Sequence, residues 1–125
     1  MGILFTLLLT CLSSSSNADC SDFRTGTYSL KDAEVGTDHF IERTDTIQTE
    51  TNLKTGTKSI FSVTWINDCE YELTIIEGRD EVMNYFKDKT LVVQITQTTG
   101  NGYSFDSFIK GTDRVVSNYV TRVSR

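Results

Sequence analysis

The chain has 125 residues, room for one domain, and this length excludes a large multidomain enzyme. Hydrophobic residues make up 38% and charged residues 23%, a balance too apolar for a disordered chain, and no apolar run is long enough for a transmembrane helix. The formal net charge of −5 argues against nucleic acid as a partner, because phosphate binding normally requires a basic patch.

Residues 1–18 have the features of a signal peptide. They carry no charged side chain, residues 3–12 form an apolar core of suitable length, and Ser-Asn-Ala at 16–18 places small residues before a cleavage site. A positively charged start is missing, and a buried N-terminal helix is the alternative. We expect export, with cleavage after Ala18 and a single β-barrel domain over 19–125.

Cys11 offers a second processing route. Residues 8–11, Leu-Leu-Thr-Cys, resemble the lipoprotein box of bacteria, in which a cysteine becomes lipidated. The serines at 13–16 would then form a flexible tether. The sequence therefore predicts a periplasmic, envelope-associated or secreted protein, with a lipid anchor on Cys11 as the alternative to cleavage after Ala18.

Cys20 and Cys69 remain after either route, and an even number of cysteines in an exported domain predicts a disulfide. The bond would close a loop of about 50 residues, a stabilisation of about 4 kcal/mol from chain entropy. Two free, buried thiols are the alternative. A metal site is disfavoured because the single histidine, His39, is distant from both cysteines in sequence, and no cofactor is expected.

The rest of the chain predicts β-strands. It has no proline, is rich in β-branched and aromatic residues, and alternates apolar with polar side chains, most clearly in its middle. Glycine-containing and asparagine-containing turns separate the strands. The predicted strands are 25–30, 40–44, 46–52, 61–66, 70–77, 90–97, 103–109 and 115–123.

One helix is predicted over 80–87, with Asp80 as its N-cap. Val82, Tyr85 and Phe86 have the spacing that lays one helix face on the sheet. Eight short strands joined mostly by short loops favour an all-β fold, a small antiparallel barrel. A two-sheet sandwich is the main alternative, and an open sheet with the helix on one face is the other.

The first strand resembles the opening of lipocalin-type barrels, because residues 25–28 read Thr-Gly-Thr-Tyr and match a Gly-x-aromatic motif. In that family the aromatic residue plugs the closed end, and a basic residue near the last strand packs across it. The resemblance implies that Tyr28 takes the place usually held by Trp, with Arg122 or Arg125 as its basic partner.

Nearly the whole mature chain is similar to a group of small exported bacterial proteins of unknown function. The shared pattern is a cysteine before Thr-Gly-x-aromatic, an Arg-x-Asp-x-Ile-Gln-x-Glu strand, and a Trp strand ending in Asp-Cys-x-Tyr-x-Leu. Here these are Cys20 with 25–28, then 43–50, then 65–73. The resemblance supports pairing of Cys20 with Cys69, because both belong to the pattern, and it implies no activity.

No catalytic constellation is recognisable. His39 lies near a predicted turn, where a surface or capping role is expected, and the chain has no nucleophile elbow, phosphate-binding loop or His-Glu-x-x-His motif. Glu70 and Glu72 alternate with apolar residues and are expected to face water. We expect no enzymatic activity, and a carboxylate-dependent hydrolase ranks last.

Aromatic side chains suggest a ligand site, although such residues more often fill a core. They would bind a small apolar or amphipathic molecule inside the barrel. Arg43 and Gln48 would face the mouth of that cavity or pair outside the sheet. The candidate ligand-binding residues are Phe61, Trp65, Tyr71, Tyr103 and Phe105, with Phe108 beside them.

The alternative function is an envelope structural or interaction protein with a filled core. Its partner, another envelope protein, would contact the outer face of the sheet, where Ile60, Ile76 and Val92 are expected to be exposed. Interior volume separates the two hypotheses, because a cavity of about 300 Å³ or more favours a small-molecule ligand.

Overall fold

The computed structural model describes residues 19–32 and 37–124, so the predicted signal peptide, Cys11 and Arg125 lie outside the described residues. All eight predicted strands and the helix are present, with ends that differ from prediction by three residues or fewer. The elements are a capping turn of 3-10 helix at Cys20–Phe23, β1 (Gly26–Asp32), β2 (Thr37–Arg43), β3 (Ile47–Asn52), β4 (Lys58–Asn67), β5 (Glu70–Glu77), α1 (Asp80–Phe86), β6 (Leu91–Thr99), β7 (Gly102–Ile109) and β8 (Val116–Ser124).

The eight strands form a closed antiparallel barrel in which each strand pairs with the next. The last strand closes the barrel on the first, with Tyr28 opposite Arg122 and Leu30 opposite Val120. This arrangement confirms the predicted barrel and contradicts the sandwich and the open sheet. Closure satisfies the backbone groups that an edge strand would leave unpaired.

The two ends of the barrel differ. The turns β2–β3, β4–β5 and β6–β7 lie at one end, called here the closed end, where the capping turn also sits and Phe23 is buried. The predicted disulfide is confirmed: Cys20 of the capping turn is bonded to Cys69 of the β4–β5 turn, with Cα atoms 5.1 Å apart. Loops β3–β4 and β7–β8 and helix α1 lie at the other end, the open end.

Alternate residues of the strands fill the interior, as the two-residue period predicted. Tyr28 and Tyr103 are almost fully buried, and the ring of Phe23 packs edge-on against that of Tyr103 at 5.4 Å. The buried core consists of Cys20, Phe23, Tyr28, Ile41, Phe61, Val63, Tyr71, Leu73, Val93, Ile95, Tyr103 and Val120.

Helix α1 differs from prediction at its start. Arg79, and not Asp80, occupies the N-cap position, and its side chain makes no capping hydrogen bond. The ring of Phe86 meets that of Phe61 at 5.4 Å and anchors the helix on the barrel. Val82 and Phe86 are half-buried but Tyr85 is 58% exposed, so the predicted packing face holds at two of its three residues.

The predicted outer apolar surface is wrong at Val92, which is only 3% exposed, whereas Ile76 is half exposed and Ile60 is half-buried. Val92 lies between Glu72 and Phe108 on the outer face of the sheet, and these larger side chains flank it on both sides. Among residues 19–32 and 37–124, no helix has the length and apolar character needed to cross a membrane.

Candidate functional site

The interior contains a buried arginine. Arg43 is the last residue of β2, and since it alternates with buried Ile41 it points into the barrel, where it is only 3% exposed. A buried charge is costly unless its hydrogen-bonding groups are satisfied. Its surroundings therefore decide whether it is available to a ligand.

Every N–H group of the Arg43 guanidinium is used within the protein. Nε donates to the carbonyl oxygen of Arg24 at 3.2 Å and Nη2 donates to that of Phe23 at 2.8 Å. The remaining three hydrogens go to side chains: Nη1 donates to Gln48 Oε1 at 2.8 Å and to the Tyr71 hydroxyl at 3.2 Å, and Nη2 donates to the Tyr103 hydroxyl at 2.8 Å. These five bonds match the five donors of a guanidinium.

Aromatic rings surround the same cation. The Arg43 Cζ atom lies 4.9 Å from the ring centre of Tyr28 and 4.8 Å from that of Tyr71, within the range of cation–π attraction. Burial alone lowers the pKa of Arg43, but the facing Tyr71 and Tyr103 raise it, and the net pKa lies above the ordinary value. The guanidinium therefore stays charged and connects the capping turn to the barrel wall.

Gln48 carries the network from Arg43 to a carboxyl group. Its Oε1 accepts from Arg43, and its Nε2 donates to Glu50 Oε2 at 2.8 Å. Burial raises the pKa of Glu50, and this outweighs the opposing effects of the Gln48 hydrogen bond and of the charges of His39 and Arg43. Glu50 is thus held in surroundings that favour its neutral form.

The two tyrosine hydroxyls on Arg43 also contact each other. The Tyr71 and Tyr103 oxygens are 3.0 Å apart, and one donates to the other. Burial raises the pKa of Tyr71 well above its usual value, more than the Arg43 charge lowers it. Because each oxygen already accepts from Arg43, the hydrogen of one of the two hydroxyls stays available to another acceptor.

The side chains that contact Arg43 border an internal cavity of about 160 Å³, called here the inner cavity. Polar groups line it on the Arg43 side: Gln48, Glu50, Tyr71 and Tyr103 form what we call the polar floor. The other lining residues are Leu30, Ile41, Leu73, Leu91, Val93, Phe105, Ser107, Val116, Asn118 and Val120.

A cleft of about 380 Å³ adjoins the inner cavity at the open end. Leu91, Ser107 and Val116 line both spaces, so the cleft leads towards the interior. Its other walls come from helix α1 with the segment after it and from the β7–β8 loop, and include the rings of Tyr85 and Phe86. The inner cavity alone is smaller than the threshold of about 300 Å³ for a ligand site, whereas the adjoining cleft exceeds it.

The predicted ligand-binding residues fall into two groups. Tyr71, Tyr103 and Phe105 line the inner cavity. Trp65 and Phe61 do not: the indole of Trp65 packs on Tyr71 at 4.5 Å near the closed end, and Phe61 lies beneath α1. The alternation along β4 correctly predicted that both side chains face inward, but it does not predict how far along the barrel axis each side chain lies.

Other candidate residues occupy distinct places. His39 lies on β2, opposite Leu30 and Asn52, and is half-buried. Arg122 reaches across the closed end, with its Cζ 4.3 Å from the ring centre of Phe23 and 5.9 Å from that of Tyr28. Within 19–32 and 37–124, no group of three or more His, Cys, Asp or Glu residues is placed to hold a metal ion.

Sequence reasoning missed Glu50, Ser107 and Asn118 as cavity-lining residues. Glu50 shares a strand face with Gln48, and Ser107 continues the alternation from Tyr103 and Phe105, so the signal was a polar residue on an inward face. That signal is usable only when the pairing register is known.

A comparison with protein-family models, with curated proteins and with solved structures finds no match for the chain. The lipocalin resemblance is supported by the structure only at the level of the fold, an eight-stranded antiparallel barrel. Membership of the group of small exported proteins stays a prediction.

Proposed function

We propose that this protein is an exported, non-catalytic barrel protein that binds a small apolar or amphipathic molecule in the inner cavity and the adjoining cleft. The observation that carries the proposal is the shared lining of the two spaces by Leu91, Ser107 and Val116. Binding sites for small molecules are typically concave, mostly apolar and provided with a few polar groups that fix orientation. The inner cavity has this character, with apolar walls and a polar floor.

Export is supported by the disulfide between Cys20 and Cys69, because such bonds persist in oxidising, extracytoplasmic compartments. The absence of catalysis is proposed because Arg43 and the tyrosine hydroxyls are held in hydrogen bonds with one another. A nucleophile and a general base in mutual contact would be needed for acyl or glycosyl transfer.

Native mass spectrometry of the protein purified from its own host tests the proposal. We expect a non-covalent adduct of small mass on the wild-type protein. Ser107→Phe should abolish the adduct, because the added ring fills the junction between cavity and cleft.

Ser104→Phe is the matched control, since Ser104 alternates with Tyr103 and Phe105 and so lies on the outer face of the same strand. This variant should keep the adduct. An adduct-free wild-type spectrum, together with no response to added amphiphiles, would contradict ligand binding and favour a surface partner.

A further inference from the structure

The buried arginine is unavailable to an anionic ligand. In a barrel, a buried guanidinium is the obvious partner for a carboxylate or phosphate head group, because its planar fork binds such groups in pairs. Here, however, Arg43 already donates to two backbone carbonyls, to Gln48 and to two tyrosines. An anion would have to displace one of these partners and would also lie beside the Glu50 carboxyl group.

A cationic head group is equally disfavoured. Its counterion would be Glu50, but the Gln48 amide already bridges Glu50 to Arg43, so the charge of an ionised Glu50 is balanced inside the protein. His39 also acts electrostatically on Glu50 from β2. A second cation in this space would face Arg43 across Gln48.

Neutral hydrogen-bonding capacity does remain at the polar floor. One hydroxyl hydrogen of the Tyr71–Tyr103 pair is unused by that pair, and Glu50 offers a carboxyl group that either accepts or donates. Ser107 and Asn118 also line the cavity: the Ser107 hydroxyl donates to the Val116 carbonyl at 3.4 Å and can still accept, and Asn118, whose Oδ1 accepts from the Tyr119 N–H, can still donate through its amide. These groups suit a partner that both donates and accepts without carrying charge.

We infer that the ligand carries an uncharged hydrogen-bonding head group, a hydroxyl or a carboxamide, which contacts the polar floor, while its narrow apolar body extends through the inner cavity towards the cleft. This inference rests on the proposed function and specifies the class of ligand. It separates the protein from barrels that bind fatty-acid anions or alkylammonium ions.

Three probes of equal chain length test the inference: 1-octanol, octanoate and octylamine, each titrated at about pH 7, where the second is an anion and the third a cation. Methyl NMR signals of Leu73, Val93 and Val120, which line the inner cavity, report occupancy. We expect saturable shifts with 1-octanol and a dissociation constant at least tenfold higher for either charged probe.

Glu50→Leu should weaken 1-octanol binding by about five- to tenfold, because the hydroxyl loses a hydrogen-bonding partner. Glu42→Leu is the control, since Glu42 is exposed on the outer face of neighbouring β2 and should leave the affinity unchanged.

The outcomes distinguish the two proposals. Tightest binding of octanoate or of octylamine to the wild-type protein would overturn the uncharged head group while leaving ligand binding intact. Failure of all three probes to shift the cavity methyl signals would overturn the proposed function, and this inference with it. The ranking on the wild-type protein decides the matter even if Glu50→Leu does not fold.

Discussion

At the scale of single residues, Arg43 links parts of the chain that are distant in sequence. Its guanidinium joins the carbonyls that flank the end of the capping turn to side chains of β3, β5 and β7. Satisfying all its donors makes the buried charge tolerable, and removing it would leave several buried acceptors without partners.

Arg43→Met should therefore lower the free energy of unfolding by about 3–5 kcal/mol, as expected when a buried charged network is broken. Arg43→Lys should also destabilise, since an ammonium group has three donors and no planar fork. Urea denaturation measures both changes. Arg114→Met, at an exposed loop position, should change stability by no more than about 0.5 kcal/mol. A wild-type urea midpoint for Arg43→Met would show that the network is dispensable.

Glu50 predicts a pH dependence of stability. Because burial raises its folded pKa above the unfolded value, the native state keeps a proton that the unfolded chain releases, so stability is lost as pH rises through the folded pKa. Glu50→Gln removes this loss and keeps an acceptor for Gln48.

The advantage of Glu50→Gln over wild type, measured as the difference in urea midpoints, should thus grow as the pH rises from the ordinary glutamate pKa through the raised folded pKa of Glu50. Glu42→Gln, on the exposed face of β2, should give a difference that stays flat over the same range. A decreasing advantage would mean that His39 and Arg43 lower the Glu50 pKa more than burial raises it.

This residue-scale network could be predicted only in part. The sequence identified Arg43 and Gln48 as polar groups near a turn but left open whether they faced in or out. The difficulty lies in β3, where polar Gln48 is 2% exposed and faces the interior while apolar Ile47 faces outward and is half-buried. A hydrophobic pattern would instead turn Ile47 inward and Gln48 outward, because the sequence of β3 gives no sign of the buried Arg43 that lies opposite Gln48.

At the scale of elements, alternation between a wet and a packed face predicted β4, β5 and β6 most clearly, and the other five strands were predicted from weaker patterns between turns. Strand ends and the helix cap were less well predicted, since they depend on contacts between elements. Gly102, where β7 begins, is one such contact: a Cβ there would lie 2.1 Å from the Val120 carbonyl oxygen on β8.

Gly102→Ala should accordingly force β7 and β8 apart and destabilise the barrel by about 1–3 kcal/mol, the usual cost of overpacking. Gly100→Ala is the control, because a Cβ at Gly100 meets nothing within 4 Å. Thermal melts followed by circular dichroism compare the two. Equal melting temperatures would indicate that the β7–β8 contact is loose.

At the scale of the whole molecule, the short loops between successive strands predicted a barrel. The sandwich is excluded by the pairing of β1 with β8, which the sequence alone does not show. The cavity could not be predicted from the sequence, because its volume depends on which inward-facing side chains are small and on how far each lies from the barrel axis.

Two sets of bonds hold the capping turn at the closed end: the Cys20–Cys69 disulfide and the hydrogen bonds of Arg43.

Cys69→Ala should lower the free energy of unfolding by about 2–5 kcal/mol, a typical loss when a native disulfide is removed from a small domain. Because the same capping turn supplies the Phe23 carbonyl that accepts from Arg43, the disulfide and the Arg43 hydrogen bonds are coupled. Freeing the turn by Cys69→Ala weakens the bonds that Arg43→Met would remove, so the double variant should lose less stability than the two single losses added together. Urea denaturation of the wild type, both single variants and the double variant measures this coupling. Strict additivity would mean that the capping turn stays docked without its disulfide.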